Sequence, residues 1–412
     1  MPDIALEDIH RLQKTDVNAG NGLLLRFVRE ELELPFQVES VELRPSAVSL
    51  NSISGVLQTS AGRKFFKTHI EPASVVGEYY NVELLKNAGY PIIAPVFVST
   101  VYGKQFLIYD WFEAPSLFET IRAVETGARS GERDLIEAAQ ASDGRLFELY
   151  ANSFCMVEAE THARQPVHQL FLHRLAGDRY KRFYNGDFVL SHHRIPFSDL
   201  ARKKWVINGV IYRDTLETIV ARAVDALRFS GASRVPVVTG HGDAHAGNLF
   251  FFGSERPLTY FDPAFAGAHS PLLDVIKPLI HDSLLKWLYF PDETAARNTI
   301  AYRLTTGMIA VEHNYSPSAT RMALFDSKLK RVVEPMLGLL KTNGGLVGNW
   351  QVVMQAAAMC CPLLTMNLAD RNRFNPGVAL LGLAMAIELG GCGEHPVRKC
   401  WFEQRLEENA PQ

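Results

Sequence analysis

The order of hydrophobic and polar positions divides the chain into a strand-rich part and a longer helical part. Between Val38 and Asp110, apolar residues occur in short runs that Gly, Ser and Pro interrupt, which is typical of strands. One helix is predicted among them, from Ser74 to Asn87, because Val75, Val82 and Leu85 recur at helical spacing. We therefore expect a small sheet with one main helix. The predicted strands lie within VESVELRP, AVSLNSISGVLQTS, GRKFFKTHI, VFVST and QFLIYDW.

The segments on either side of this sheet have helical periodicity. Residues 1–37 contain an amphipathic helix within GNGLLLRFVREELELPF, and one β island, with apolar runs around the turn GSER, interrupts the helical C-terminal part. The pattern predicts an α+β protein with an N-terminal helical extension (1–37), a small sheet domain (38–112) and a large, mostly helical domain (113–412). The long helices are predicted near residues 133–163, 199–229, 271–290, 293–310 and 350–389.

Length and charge narrow the classes of protein to which the chain can belong. Its 412 residues exceed the roughly 250–300 that one hydrophobic core supports, so we expect two domains with the site in the cleft between them. The 42 Lys and Arg against 45 Asp and Glu provide no attraction to nucleic acid as a whole. The longest apolar run, Gly377 to Ile387, is too short to span a bilayer, and the N-terminus is acidic where a signal peptide is basic. We expect a cytoplasmic protein without nucleic-acid or membrane partners.

The cysteines do not indicate a disulfide framework or a zinc site. Their number is odd, and no C-x-x-C pair occurs, so free thiols are expected. The five are Cys155, Cys360, Cys361, Cys392 and Cys400.

The densest polar cluster lies in the β island, on the loop from His241 to Asn248 (HGDAHAGN). If the apolar runs around GSER pair as a hairpin, its open end brings Asn248 next to Asp262. An Asn and an Asp oxygen suit magnesium, which takes one or two protein ligands and completes its shell with phosphate and water. Asp243 would then face the phosphate as a base or an orienting group for an incoming hydroxyl.

The pattern H-x-D-x-x-x-x-N, followed by an Asp at the end of the next hairpin, resembles the catalytic and metal-binding segments of protein-kinase-like phosphotransferases. The form HGDAHAGNLF…YFDPAFAG is most similar to the aminoglycoside phosphotransferase and choline kinase group. The resemblance covers about residues 38–290. It implies a bilobal protein-kinase-like fold and the transfer of a γ-phosphoryl group, from ATP or another nucleoside triphosphate with Mg²⁺, to a hydroxyl of a small molecule.

The resemblance also implies roles for residues of the large lobe. Asp243 matches the catalytic base, and Asn248 and Asp262 match the magnesium ligands. His241 matches a residue that braces the loop. Asp274, in SPLLDVIK, matches a carboxylate that braces the same loop.

In the small lobe, the matching residues would bind the nucleotide. Lys67 in RKFFKTH matches the lysine that holds the α- and β-phosphates and is favoured over Lys64, and Glu78 matches its partner glutamate. In FLIYDWFEAPSL, Asp110 and Phe112 match the hinge whose backbone binds adenine.

The sequence departs from protein kinases in three places. Asp-Pro-Ala replaces Asp-Phe-Gly, and no Ala-Pro-Glu element follows, which argues against a protein substrate. The phosphate-covering loop, about Ser46 to Ser54, contains no glycine before Gly55, which leaves the identity of the nucleotide open.

The same residues bear on other functions. A metallophosphoesterase would carry Gly-Asp-x-His and Gly-Asn on separate loops after an Asp-x-His block. In this chain the two motifs share one loop and the block is absent. The chain also contains no P-loop signature, which argues against a P-loop kinase. A kinase-fold nucleotide-binding module and a nucleotidyl transferase stay open as alternatives. The acceptor also stays open among antibiotics, amino alcohols, sugars and related metabolites, with Asp282, Glu312 and His313 as candidate contacts. Because no cluster of acidic residues follows Asp262, the sequence does not favour a polycationic aminoglycoside as the acceptor.

Overall fold

The chain forms two compact units in the computed structural model. The smaller unit comprises Met1–Pro115 and Thr259–Phe265, and the larger comprises Ser116–Leu258 and Ala266–Gln412. The α+β class is confirmed, since the smaller unit has an antiparallel sheet and the larger one is mostly helical. The structure describes residues 4–44, 52–69, 81–229, 232–253, 256, 258–393 and 401–410.

A five-stranded antiparallel sheet forms the centre of the smaller unit, in the order β1-β2-β3-β5-β4. Strands β2 and β3 are joined by a tight turn that ends at Gly62, whose φ of +89° favours glycine. All five strands fall within the five runs predicted from the sequence. They are β1 (Val38–Leu43), β2 (Ser52–Thr59), β3 (Gly62–His69), β4 (Phe97–Ser99) and β5 (Phe106–Asp110).

Helices cover this sheet and complete its core. Helices α1 (Leu6–Thr15) and α2 (Val17–Glu30) bury apolar side chains, among them Phe27, in one cluster with Phe66 and Phe106 of the sheet. The N-terminal helices are therefore part of the smaller unit. Residues 81–87 are helical and constitute the described part of α3, which ends before Gly89 as predicted. The predicted beginning of this helix, at Ser74, lies outside the described residues.

Helices account for most of the larger unit, and α13, α18 and α19 are almost entirely buried. A 3-10 turn at Ala246–Asn248 and a π-helical turn at Leu329–Val333 also occur. The α-helices are α4 (Leu117–Glu125), α5 (Glu132–Ser153), α6 (Ala159–Ala163), α7 (Val167–Leu170), α8 (Leu172–Ala176), α9 (Asp178–Phe183), α10 (Phe197–Ala201), α11 (Leu216–Leu227), α12 (Pro271–Asp274), α13 (Ile276–Leu284), α14 (Lys286–Tyr289), α15 (Pro291–Arg297), α16 (Ala319–Lys328), α17 (Glu334–Thr342), α18 (Trp350–Leu364), α19 (Pro376–Gly390) and α20 (Trp401–Glu408).

Short strands also occur throughout the larger unit, so the prediction of one β island there is wrong. A further strand, β13 (Thr259–Tyr260), belongs to the smaller unit, at the predicted second arm of the island. The strands of the larger unit are β6 (Cys155–Glu158), β7 (Asp187–Val189), β8 (Arg194–Pro196), β9 (Lys204–Ile207), β10 (Val210–Ile211), β11 (Arg234–Gly240), β12 (Leu249–Phe250), β14 (Gly267–His269), β15 (Ile300–Leu304) and β16 (Met308–His313).

These strands replace parts of three predicted helices. The helix expected at 133–163 ends at Ser153, and β6 then pairs with the distant β11. Within 199–229, β9 and β10 form a hairpin around Asn208-Gly209, whose φ values of +48° and +77° suit a two-residue hairpin turn. The helix expected at 293–310 ends at Arg297, and β15 and β16 form the next hairpin.

The long helix predicted at 350–389 is two helices, α18 and α19. The second begins where the Asn375 side chain accepts a hydrogen bond from the backbone N–H of Val378 at 2.9 Å. Pro376 occupies its first position, where the missing N–H costs nothing. No helix in the described part of the chain has both the length and the continuous apolar sequence needed to cross a lipid bilayer.

Candidate active site

The loop between β11 and β12 carries the residues predicted for catalysis. It begins at Gly240, where a Cβ atom would lie 2.4 Å from the carboxyl carbon of Asp274, so only glycine fits there. His241 follows and is buried, and its Nδ1 accepts a hydrogen bond from the backbone N–H of Asp243 at 3.3 Å. The imidazole thus holds the first turn of the loop.

Asp274, at the end of α12, ties this first turn to the interior of the larger unit. Its carboxylate accepts hydrogen bonds from the backbone N–H of Gly242 at 2.6 Å and from the Tyr150 hydroxyl at 2.5 Å, and it lies 3.1 Å from Nδ1 of His269. Burial alone would raise the pKa of Asp274, but His269, Tyr150 and the Gly242 amide lower it. The ionised carboxylate therefore braces the loop at its beginning.

The other end of the loop is held in a similar way. His245 caps the 3-10 turn, since its Nδ1 accepts a hydrogen bond from the backbone N–H of Gly247 at 3.1 Å. The carboxyl group of Asp282 on α13 accepts a hydrogen bond from the backbone N–H of Ala246 at 2.7 Å, and burial raises the pKa of Asp282 to about 7. Asp282 is therefore an anchor of the loop, and its contact with an acceptor stays a prediction.

Asp243 lies between these two anchors in a cationic environment. The ammonium of Lys277, on α13, is 3.1 Å from its Oδ1. This ion pair is not a directed hydrogen bond, and the buried Oδ1 receives none from any described residue. Burial alone would raise the pKa of Asp243, but Lys277, His245, Arg174 and His281 together lower it well below its usual range. The carboxylate is ionised at physiological pH and free to accept a hydrogen bond from a ligand.

Asn248 closes the loop and presents an oxygen. Its side-chain N–H donates to the backbone carbonyl of Asp243 at 2.9 Å, while its Oδ1 accepts no hydrogen bond from any residue that the structure describes. A carboxamide oxygen of this kind is a ligand that magnesium accepts. Across the described residues, no three His, Cys, Asp or Glu side chains are grouped as a metal site.

The smaller unit contains a second set of candidate residues, centred on Lys67 of β3. The Lys67 ammonium lies 2.5 Å from Oδ1 of Asp262, and both side chains are largely shielded, with 10% and 31% of their surface exposed. Asp262 has a φ of +56°, a left-handed conformation that aspartate tolerates better than most residues. Lys64 instead pairs with Asp110 at 2.6 Å, so the two lysines have different partners.

The remaining nucleotide-binding candidates lie around the end of β5. Asp110 is its last residue, opposite Lys64 in the sheet, and the backbone N–H of Trp111 donates to the Arg63 carbonyl at 3.3 Å. Phe112 follows in a segment without regular structure. Glu78 and the first part of the phosphate-covering loop lie outside the described residues.

Two cations near Asp243 were not predicted from the sequence. Lys277 follows Asp274 by one helical turn in an apolar run, and Arg174 lies on α8, which no motif covers. The position of Lys277 just after Asp274, the predicted brace of the catalytic loop, was a weak signal for the first, and no signal existed for the second. Glu312 and His313, the other suggested acceptor contacts, lie on β16 within a four-stranded sheet.

No family model matches the chain, and no curated protein matches it. Several solved structures are similar to it. A macrolide 2′-phosphotransferase of type I aligns over 89% of this chain and 97% of its own, with 13% identity and a TM-score of 0.41. A spectinomycin phosphotransferase in complex with ADP and spectinomycin aligns over 89% and 98%, with 11% identity and a TM-score of 0.40.

An ethanolamine kinase from Plasmodium vivax aligns over 97% of this chain and 95% of its own, with 10% identity and a TM-score of 0.46. With identities of 10–13% and TM-scores below 0.5 for these three structures, the function of this chain has to be inferred from its own residues.

Proposed function

We propose that the protein transfers the γ-phosphoryl group of ATP to a hydroxyl group of a small molecule. The observation that carries this proposal is the Asp243 centre. A buried carboxylate is kept ionised by Lys277 and retains an oxygen without a directed hydrogen bond, on a loop held at both ends by Asp274 and Asp282. Strongly perturbed, rigidly held ionisable groups of this kind are concentrated at functional sites.

In the proposed reaction, the acceptor oxygen forms a bond to the γ-phosphorus while the bond from that phosphorus to the bridging oxygen of ADP breaks. ADP leaves, and the hydroxyl proton passes to the carboxylate of Asp243. Because the pKa of Asp243 lies far below that of an alcohol, the carboxylate mainly orients the hydroxyl and takes the proton late in the step. Positioning and charge neutralisation then provide most of the rate enhancement.

The phosphates of the nucleotide are assigned to Lys67, with Glu78 as its partner. The adenine is assigned to the backbone of Asp110 and Phe112. Lys67 is a shielded ammonium on a central strand, and a cation in that position suits a polyphosphate. This assignment requires Lys67 and Asp243 to act on the same nucleotide.

A magnesium ion is assigned to Asn248 and Asp262. The Asn248 Oδ1 has no partner among the described residues, and the Asp262 carboxylate is partly exposed, so both offer oxygen to a hard cation. When bound, the ion would neutralise phosphate charge. Two protein ligands leave most of its shell to phosphate and water, which is usual for magnesium bound with a nucleotide.

The test is acceptor-dependent release of ADP by the purified chain with Mg-ATP, over a panel of hydroxylated metabolites and antibiotics. At least one acceptor is expected to increase ADP release. The variant Asp243→Asn should lower this turnover by roughly 10²- to 10⁴-fold and leave nucleotide binding intact. Asp199→Asn, at an exposed position on α10, is the matched control and should behave as the unmodified protein.

Two results would contradict the proposal. Release of AMP and pyrophosphate would assign nucleotidyl transfer instead. ADP release that is equal in the unmodified protein and the Asp243→Asn variant would remove Asp243 from the reaction.

A further inference from the structure

His281 is a buried histidine on α13 that lies against the candidate catalytic loop. Its imidazole faces that of His245, with the ring centroids 5.9 Å apart and an angle of 30° between the ring planes. His281 is almost completely shielded, with 3% of its surface exposed. The contact joins α13 to the residue that caps the 3-10 turn of the loop.

Hydroxyl groups hold both ring nitrogens of His281. Nδ1 lies 3.1 Å from the hydroxyl of Tyr289 on α14, and Nε2 lies 3.1 Å from that of Thr365, which directly follows α18. A hydroxyl can donate or accept, so a neutral imidazole satisfies both contacts, as donor at one nitrogen and acceptor at the other. Burial lowers the pKa of His281 well below its ordinary value, and Lys277 lowers it further, so the ring is neutral. The two hydrogen bonds fix the plane of the ring.

His245 in turn sets the conformation of the turn that carries Asn248. Its Nδ1 accepts the hydrogen bond from Gly247, and its backbone carbonyl accepts one from the backbone N–H of Asn248 at 2.8 Å. The imidazole is so close to Gly247 that a Cβ atom there would lie 2.8 Å from its Cε1. A rotated imidazole would lose the hydrogen bond from Gly247, because that bond requires a directed nitrogen. The turn therefore depends on the orientation of one ring.

Helix α13 supports the loop through three side chains, each at a different loop residue. These contacts are Lys277 with Asp243, His281 with His245 and Asp282 with Ala246. The first is an ion pair and the third is a hydrogen bond, whereas the second is a packing contact between two rings. Because protein interiors are close-packed, a ring that is itself fixed restricts the rotation of the ring that lies against it.

We propose that His281 is a positioning residue for phosphoryl transfer, which acts through His245 to hold the Asn248 oxygen in place for magnesium. The inference rests on the proposed function, in which Asn248 is a magnesium ligand. Groups that orient the ligands of a metal typically change metal affinity or activity by roughly 10- to 100-fold when they are replaced.

Hydrogen exchange measured by mass spectrometry tests the positioning without turnover. His281→Phe keeps a ring but removes both hydrogen bonds. Exchange of the backbone amides in a peptide covering residues 241–250 should become at least about fivefold faster, while exchange in β11 stays unchanged, because the loop alone loses its support. Ile280→Val is the matched control, since it removes a buried methylene from the same helix and should leave exchange in the loop unchanged.

The hydroxyl partners provide two further variants. Thr365→Val and Tyr289→Phe each remove one hydroxyl and retain the shape of the side chain. Each should accelerate exchange in the loop in the same direction as His281→Phe and to a smaller extent, because one of the two hydrogen bonds remains. These variants decide the question if His281→Phe does not fold.

Metal binding provides the second readout. The probe is Mn²⁺ in the presence of the β,γ-imido analogue of ATP, and electron paramagnetic resonance measures the free ion. His281→Phe should weaken Mn²⁺ binding at least about fivefold. In turnover, the same variant should lower kcat by roughly tenfold or more and raise the half-saturating concentration of Mg²⁺, with the KM of the acceptor unchanged. A residue that only stabilises the fold would not produce this division.

The outcomes separate this inference from the proposed function. Exchange in the loop that is unchanged in all three variants, or that increases equally in Ile280→Val, overturns the inference and leaves the proposed function. Mn²⁺ binding that is unaltered in His281→Phe does the same. Loop exchange and Mn²⁺ binding that both depend on His281, with no phosphoryl transfer to any alcohol, overturn the proposed function and leave His281 as the support of Asn248.

Discussion

Replacement of Lys277 by methionine tests how the protein keeps Asp243 ionised. Methionine has a length similar to that of lysine but no charge. The Lys277 ammonium lies 3.1 Å from the carboxylate, and the two side chains are only 6% and 16% exposed. The substitution therefore removes a shielded positive charge and leaves the buried carboxylate with His245, Arg174 and His281 as the remaining favourable influences.

The magnitude follows from the geometry. Two unit charges about 3 Å apart interact by roughly 5 kcal/mol at an effective dielectric constant near 20. Desolvation of the lysine offsets part of this interaction energy. An adjacent cation therefore typically lowers the pKa of an aspartate by only about 1–3. We expect the pKa of Asp243 to rise by about that amount in Lys277→Met, because burial then acts with less opposition.

The assay is kcat/KM against pH, from about pH 3 to pH 9, for an acceptor found in the ADP-release screen. The unmodified protein should lack an Asp243-dependent acidic limb in this range, whereas Lys277→Met should show one at the acidic end of the range. Lys330→Met, at an exposed position, is the control for the loss of one lysine. A Lys277→Met protein that remains active with an unshifted acidic limb would refute the coupling between Lys277 and Asp243.

Further predictions concern the loop anchors, the buried titratable groups and the nucleotide. Asp274→Asn should lower the free energy of unfolding by roughly 1–3 kcal/mol, measured in urea, and reduce turnover as well, because the loop loses its ionised brace. Burial lowers the pKa values of His162 and His168 to about 3 and about 4, from an ordinary value of 6.5. The free energy of unfolding should therefore decrease as the pH falls below 6.5, because the unfolded chain binds protons that the folded protein does not. His168→Gln should make this decrease smaller. Asp282, with its pKa raised to about 7, should lower stability as the pH rises from about 4 to 7, and Asp282→Asn should remove that loss. Lys67→Met should weaken ATP binding at least about tenfold by fluorescence titration of the folded protein; unaltered binding would remove Lys67 from the nucleotide site.

The smaller unit was well predicted because its strands are local features of the sequence. Alternation within GRKFFKTHI and FLIYD is sufficient to predict a strand, and the punctuating glycines mark the turns. The short strands of the larger unit were missed for the opposite reason. Strand β6 exists because it pairs with β11, which lies far along the chain, and β16 pairs with β9 in the same way. The Asn208-Gly209 turn was a local signal that could have indicated the β9–β10 hairpin.

In the candidate site, too, residues within a local pattern could be predicted and residues brought together by packing could not. The loop from His241 to Asn248 could be recognised because its spacing is contained in eight consecutive residues. Lys277 and Arg174 could not, since a cation within a helix usually indicates a solvated surface. Their approach to Asp243 depends on the packing of α8, α13 and α18, which no local pattern specifies.

Transfer of an isotopic label tests the central claim most directly. ATP labelled with oxygen-18 on its γ-phosphoryl group is incubated with the purified chain and a pool of hydroxylated metabolites, and products are identified by mass spectrometry. The account predicts that a hydroxylated compound gains the labelled phosphoryl group with the unmodified protein and gains it at least about 100-fold more slowly with Asp243→Asn. Label that appears only in inorganic phosphate, or in the same product at the same rate with both proteins, would contradict it.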